Sequence, residues 1–140
     1  MKVFVDTNVV LDVLLERHPF YDDSFMIFQI VDLERVRGYL SAASITDIFY
    51  FARKKWRDTE DVYRMMDELT DLFSVAPVSE KTIADALALR WKDFEDAVQY
   101  MAATESGVDC IVTRNTADYE ISGVPCMSPA DFIAYFNAHH

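Results

Sequence analysis

An α/β fold, with a short and mostly parallel sheet of four or five strands flanked by helices on both faces, is predicted by three features of the chain. Short apolar runs alternate with longer stretches whose apolar residues recur at three- and four-residue steps, the pattern of strands separated by helices. That alternation continues through all 140 residues without a repeat or linker, so a single domain over 1–140 is expected. Hydrophobic residues make up 51% of the chain against 3 Gly and 4 Pro, which excludes a disordered or fibrous protein.

Taken in order, Lys2–Val5 reads as a first strand that stops at Asp6-Thr7-Asn8, and Val9–Glu16 as a helix closed by His18-Pro19. Tyr21–Arg35 has one wide apolar helical face, with Gly38 expected as its C-terminal stop, and Tyr39–Ala43 follows as a second strand. Ser44 is expected to open the next helix, which runs through Asp47, Ile48 and Ala52 into the basic stretch 53–57. Asp58 or Thr59 caps a further helix bearing Val62, Met66 and Leu69. Ser74–Val78 is a short strand candidate, Ser79 starts a helix through Leu89, and Asp93 starts another through Glu105, ended by Gly107. Asp109–Thr113 is a buried strand and Val124–Met127 a last short one, before Ser128-Pro129 caps and opens the terminal helix.

The formal charge of −11, from 13 basic and 24 acidic residues, argues against holding nucleic acid through a broad basic surface. Any such contact must be local or assisted by metal. Cys110 and Cys126 lack metal-type spacing, and the chain opens without a charged-then-apolar leader, so a reducing cytoplasm is the expected setting. No apolar run reaches the length of a membrane helix.

In parallel sheets ligands gather outside the carboxyl ends of the strands. Asp6 follows the first strand, Asp47 lies just past the second, and Asn115 and Asp118 follow the strand ending at Thr113, so these residues are expected to converge at one edge. Each acid alone has an ordinary explanation. Asp6 could cap the following helix, Asp47 has capping-box spacing from Ser44, Asp96 has the same relation to Asp93, and Asp118 could be a turn acid. Gathered together, like charges raise one another's pKa and call for a cation, and oxygen ligands without His or Cys select Mg²⁺ or Mn²⁺ over zinc. His18, His139 and His140 fall outside every such group, leaving zinc hydrolysis or a Ser-His-Asp triad without parts.

Val3-Phe4-Val5-Asp6-Thr7-Asn8, then Asp96-Ala97-Val98-Gln99, then Ile111-Val112-Thr113-Arg114-Asn115-Thr116-Ala117-Asp118-Tyr119, together resemble the PIN domain, in particular the bacterial type used as toxins in toxin-antitoxin pairs. The likeness extends over essentially the whole chain. It implies a parallel sheet between helices, three or four acids holding Mg²⁺ or Mn²⁺, and cleavage of RNA. By position it makes Asp6 the first acid and Asp96 the third. Asp47 stands where the family usually has Glu, and Asn115 where the fourth acid commonly stands, with Asp118 as the alternative seen in relatives carrying Thr-Arg-Asn. Thr7 and Asn8 are expected to brace Asp6 rather than bind metal. A homodimer and a small antitoxin partner are further implications of the resemblance.

The function expected on these grounds is a metal-dependent endoribonuclease, the toxin of such a pair. Asp6, Asp96 and Asp118, with Asp47 as a further candidate, would hold metal that activates water for in-line displacement. Arg114 and the 53–57 run could hold flanking phosphates, although a basic run at a helix C-terminus also has a purely dipolar reason to exist. One rival is a PIN-like binding module with a degraded site, consistent with the departures at Asp47 and Asn115. Another is an Asp-dependent phosphoryl-transfer domain, against which stand Asn8, where a second Asp would be needed, and the lack of a Lys after the Asp109–Thr113 strand.

Overall fold

A computed structural model, describing residues 1–119 and 123–139, builds one all-parallel sheet of five strands around the first apolar run. Across the sheet the order is Ser74–Ala76 (β3), Arg37–Ser41 (β2), Lys2–Val5 (β1), Cys110–Val112 (β4) and Cys126–Met127 (β5). The chain thus extends the sheet to one side of β1 and then returns to extend it on the other. Between β1 and β4 the winding reverses, which leaves an uncovered crevice at their carboxyl ends. Val3 pairs with Cys110 and Val5 with Val112, and Asp6 N continues the ladder to Val112 O at 3.0 Å.

Strand alternation assigns the two faces. Val3 and Val5 point into a core with Val9, Val10, Ile27, Ile48, Val62 and Phe132, contributed by Thr7–Leu14 (α1), Tyr21–Asp32 (α2), Ala42–Lys55 (α3), Thr59–Leu72 (α4) and Pro129–His139 (α7). Phe4 points the other way, into a layer with Tyr39, Ile111, Ala102 and Ala103, where Phe94–Glu105 (α6) packs. Glu80–Leu89 (α5) joins α6 through Ala86, Ala97 and Val98. Helices on both faces and the five parallel strands agree with the fold class expected from the sequence.

Several boundaries shift by a few residues, α1 to Thr7–Leu14, β3 to Ser74–Ala76 and β5 to Cys126–Met127 among them, and two of the differences have a clear cause. Gly38 does not stop a helix: α2 ends at Asp32, Glu34 takes the left-handed φ of 56°, and Gly38 lies inside β2. A Cβ at Gly38 would come within 2.5 Å of the Phe73 ring, so the glycine serves a close approach rather than a turn. Ser44 is likewise not a cap. The strand β2 runs Arg37–Ser41 instead of Tyr39–Ala43, so Ser41 caps α3 by accepting from Ala43 N at 3.1 Å. Among the described residues no helix is long and apolar enough to cross a membrane.

Candidate active site

The end of β1 and the start of α1 meet at Asp6, and one side chain serves both elements. Its Oδ1 accepts from the Asn8 backbone N at 3.3 Å, the N-cap bond of α1. The same carboxylate is only 3% exposed and takes three long-range donors. Thr113 Oγ1 and Tyr119 OH donate to Oδ2 at 2.7 and 3.2 Å, and Gln99 Nε2 donates to Oδ1 at 3.1 Å. Capping and site formation are therefore one arrangement. Every one of those donors is neutral, and among the described residues no cation forms an ion pair with Asp6.

The donors are themselves fixed. Gln99 Oε1 accepts from Thr7 N at 3.2 Å and Thr7 Oγ1 at 3.3 Å, while Thr7 Oγ1 also donates to buried Ser44 Oγ at 2.7 Å. Asn8 Oδ1 accepts from Arg114 N at 3.4 Å, and Thr113 Oγ1 accepts from Asn115 N at 3.1 Å. Burial, with the nearby Asp6 and Asp96 charges, pushes the Tyr119 phenol far up, so it stays a neutral donor.

Helix α6 supplies the opposing wall. Asp93 caps it, accepting from Asp96 N at 3.0 Å. Asp96 is buried at the third helical position, and its carboxyl is pushed up to about 7, first by burial and then by the charges of Asp6, Asp93, Asp118 and Glu95. The Glu95 carboxyl is also raised, by partial desolvation first and then by Asp47, Asp6 and Asp93, against a lowering hydrogen bond with Thr7. Asp47 sits in the second turn of α3, exposed, on the third wall. Its capping explanation lapses with the position of Ser41.

These groups line a cleft of about 250 Å³ that holds Asp6, Asp47, Asp93, Glu95 and Asp96, with Asn8, Asn115 and Arg17 at its walls. Asn115 thus reaches the cleft. Asp118, exposed in the 3₁₀ turn Thr116–Asp118, is not among the described residues that line it, although close enough for its charge to act on Asp96. Arg114 is committed elsewhere: Nε and Nη2 donate to the two oxygens of buried Asp12 at 2.6 and 3.2 Å. In the basic run, Lys55 Nζ donates to Leu14 O at 3.2 Å and Arg53 Nη1 to Thr59 Oγ1 at 2.6 Å, so both have structural partners at helix ends.

Sequence reasoning quoted Gln99 and Tyr119 without giving them a task, and passed over Glu95. The signal for two of them was helical spacing. Residues 95, 96 and 99 share one face of α6, so once Asp96 faces Asp6, Glu95 and Gln99 do as well. The contact from Tyr119 had no local signal.

The donor chemistry suits a hard divalent cation. Every acid on the cleft offers oxygen, and on its described lining five acids face one basic residue, Arg17. Among the described residues no three acidic, His or Cys side chains form a ready ligand shell. Mg²⁺ does not require one, since it keeps several waters and is commonly held by one or two carboxylates plus substrate phosphate.

The family model of the PIN domain matches residues 2–117. The chain is 26% identical over 123 residues to Ribonuclease VapC1 of Aquifex aeolicus (strain VF5), covering 84% of each. It is similar in fold to a toxin-antitoxin complex from Klebsiella pneumoniae, with a TM-score of 0.64, 20% identity and coverage of 91% of this chain and 97% of that one. Mycobacterium tuberculosis VapC20, described as a Sarcin-Ricin loop cleaving toxin, superposes with a TM-score of 0.60 at 14% identity, over 95% and 94% of the two chains.

Proposed function

The chain belongs to the PIN domain family, and on that premise we propose that it is a metal-dependent endoribonuclease that acts as the toxin of a toxin-antitoxin pair. The observation that carries this reading is the meeting of Asp6 and Asp96 at the reversal of the sheet, in a cleft whose acids have too little cationic compensation from the chain itself. Asp6 and Asp96 would hold the metal, with Asp47, Glu95 and Asn115 on the same cleft and Asp118 near it. Mg²⁺ or Mn²⁺ held there would lower the pKa of water and offset phosphate charge. The chain's own part is positioning. Gln99, Thr113, Tyr119 and Asn8 hold the Asp6 carboxylate in one orientation, and Thr7 holds Gln99. The cation also reverses the local sign of an acidic surface, which is what an RNA phosphate needs in a protein of charge −11. Similarity to a toxin-antitoxin complex supports an antitoxin protein as partner, and a homodimer is a further part of the proposal.

Purified protein should cut RNA with Mg²⁺ or Mn²⁺, stop on chelation, and lose activity by about four orders of magnitude, roughly 5.5 kcal/mol of barrier, in Asp6→Asn and Asp96→Asn. Cleavage that continues in excess chelator overturns the metal mechanism. Metal binding without turnover on a broad RNA panel would instead favour the binding-module reading.

A further inference from the structure

Beside the acidic cleft lies a second cavity of about 600 Å³, lined by Pro19, Phe20, Asp23, Arg114, Asn115 and Pro129. Asn115 stands on the walls of both. We propose that this cavity binds one unpaired nucleobase of the RNA, stacked on the Phe20–Arg114 pair, and that Asp23 selects guanine there. The inference rests on the ribonuclease reading above and adds a base-specific subsite to it.

Three observations carry the proposal. Phe20 is 42% exposed at the start of α2, while the Arg114 guanidinium carbon lies 4.1 Å from its ring centroid. The bidentate bond to Asp12 fixes the guanidinium plane, so the stacked pair is a rigid platform rather than two mobile side chains. Aromatic rings and Arg planes are the surfaces on which single-stranded RNA bases stack. The second observation is continuity: Asn115 lines both the acidic cleft and this cavity, so the two are adjacent along one surface, as a phosphate and a neighbouring base would require. The third is charge. At a net charge of −11 the chain gains little from counterion release over a broad surface, so affinity for flanking nucleotides must come largely from local contacts, and stacking is such a contact. Asp23 is the carboxylate on the lining, an acceptor only, and guanine offers it two adjacent N–H donors on one edge.

The test uses a randomised single-stranded RNA pool with Mg²⁺. Wild type should prefer guanine at one position flanking the cut. Phe20→Ala should lower kcat/KM by about tenfold or more and flatten that preference, and Asp23→Asn should flatten it while cleavage continues. Arg114 is a poor probe, because its loss would strand Asp12. A preference unchanged in either variant overturns the proposal, including the case where the cavity receives a partner protein's side chain. Binding is read separately in Asp6→Asn carrying Phe20→Trp, where a guanine-containing RNA octamer should quench the added indole emission relative to the Asp6→Asn parent. Quenching without any cleavage by wild type would sink the nuclease reading and keep the subsite. Cleavage without quenching would do the reverse.

Discussion

Asp6 and Asp12 stand at opposite ends of α1, both all but sealed from solvent at 3% and 0% exposure, and the fold treats them in opposite ways. Asp12 has its own cation. Arg114 grips both of its oxygens and Arg17 lies 4.0 Å away, yet burial still outweighs the two guanidiniums and leaves the Asp12 carboxyl raised. Asp6 has only neutral donors, four groups that fix its orientation without cancelling its charge. A buried carboxylate that the chain neutralises is a piece of architecture. One that the chain orients but leaves charged, next to a second acid pushed up to about 7, is prepared for a cation from outside.

The largest effect that tests this contrast is on stability at Asp12. Arg114→Ala should destabilise the fold by about 3–5 kcal/mol, because it strands a buried charge. Denaturant unfolding of Arg114→Ala and of the double variant Asp12→Leu/Arg114→Met distinguishes the causes. The double variant removes both charges and should recover most of the loss. If it unfolds as easily as the single variant, Arg114 contributes through packing on Phe20 instead, and the two aspartates differ less than proposed.

Metal should separate the pair next. At 100 times its dissociation constant a ligand stabilises by about 2.7 kcal/mol. Thermal melts in chelator and in excess Mg²⁺ should show that increment in wild type and in Asp12→Asn, whose acid is not on the cleft lining, and little of it in Asp6→Asn. An equal increment in all three would remove Asp6 from the metal site.

The contrast between the two acids was only half legible in the sequence. Asp6 could be placed because strand β1 ends in an abrupt polar turn, and sheet topology then brings Thr113 to it; both are local patterns followed by a general rule. Asp12, buried in the last turn of an apolar helix, carries no mark that sets it apart, and its partner Arg114 lies 102 residues away. Arg114 was therefore read as a phosphate contact from its place beside Thr113. Gly38 was misread for a related reason: a glycine soon after a helical stretch looks like a stop, and only the Phe73 ring from the end of α4 shows why a side chain is excluded there. Periodicity and turn chemistry recover elements and faces, whereas pairings across the core are invisible until the sheet order is known.

The smallest expected effect concerns the pH dependence that Asp96 gives to stability. Its folded carboxyl titrates at about 7 against an ordinary 3.8, so between those values the native state holds a proton that the unfolded chain has already released. Stability therefore falls as pH rises through this window, the sign opposite to that of a salt-bridged acid. Asp96→Asn cannot ionise, and the Asp96 N–H bond to Asp93 is a backbone contact that survives the substitution. In chelator the variant should thus gain on wild type steadily from about pH 4 to pH 7, by about 1–2 kcal/mol in total once solvent access to the cleft is allowed for, and hold that margin above. Saturating Mg²⁺ should shrink or invert the margin, because a bound cation favours the ionised carboxylate that only wild type can offer. Parallel pH profiles of the two proteins in chelator would mean that Asp96 ionises in the fold as readily as in the unfolded chain. Asp96 would then behave as an ordinary first-turn acid of α6, and Asp6 alone would remain as the acid prepared for metal.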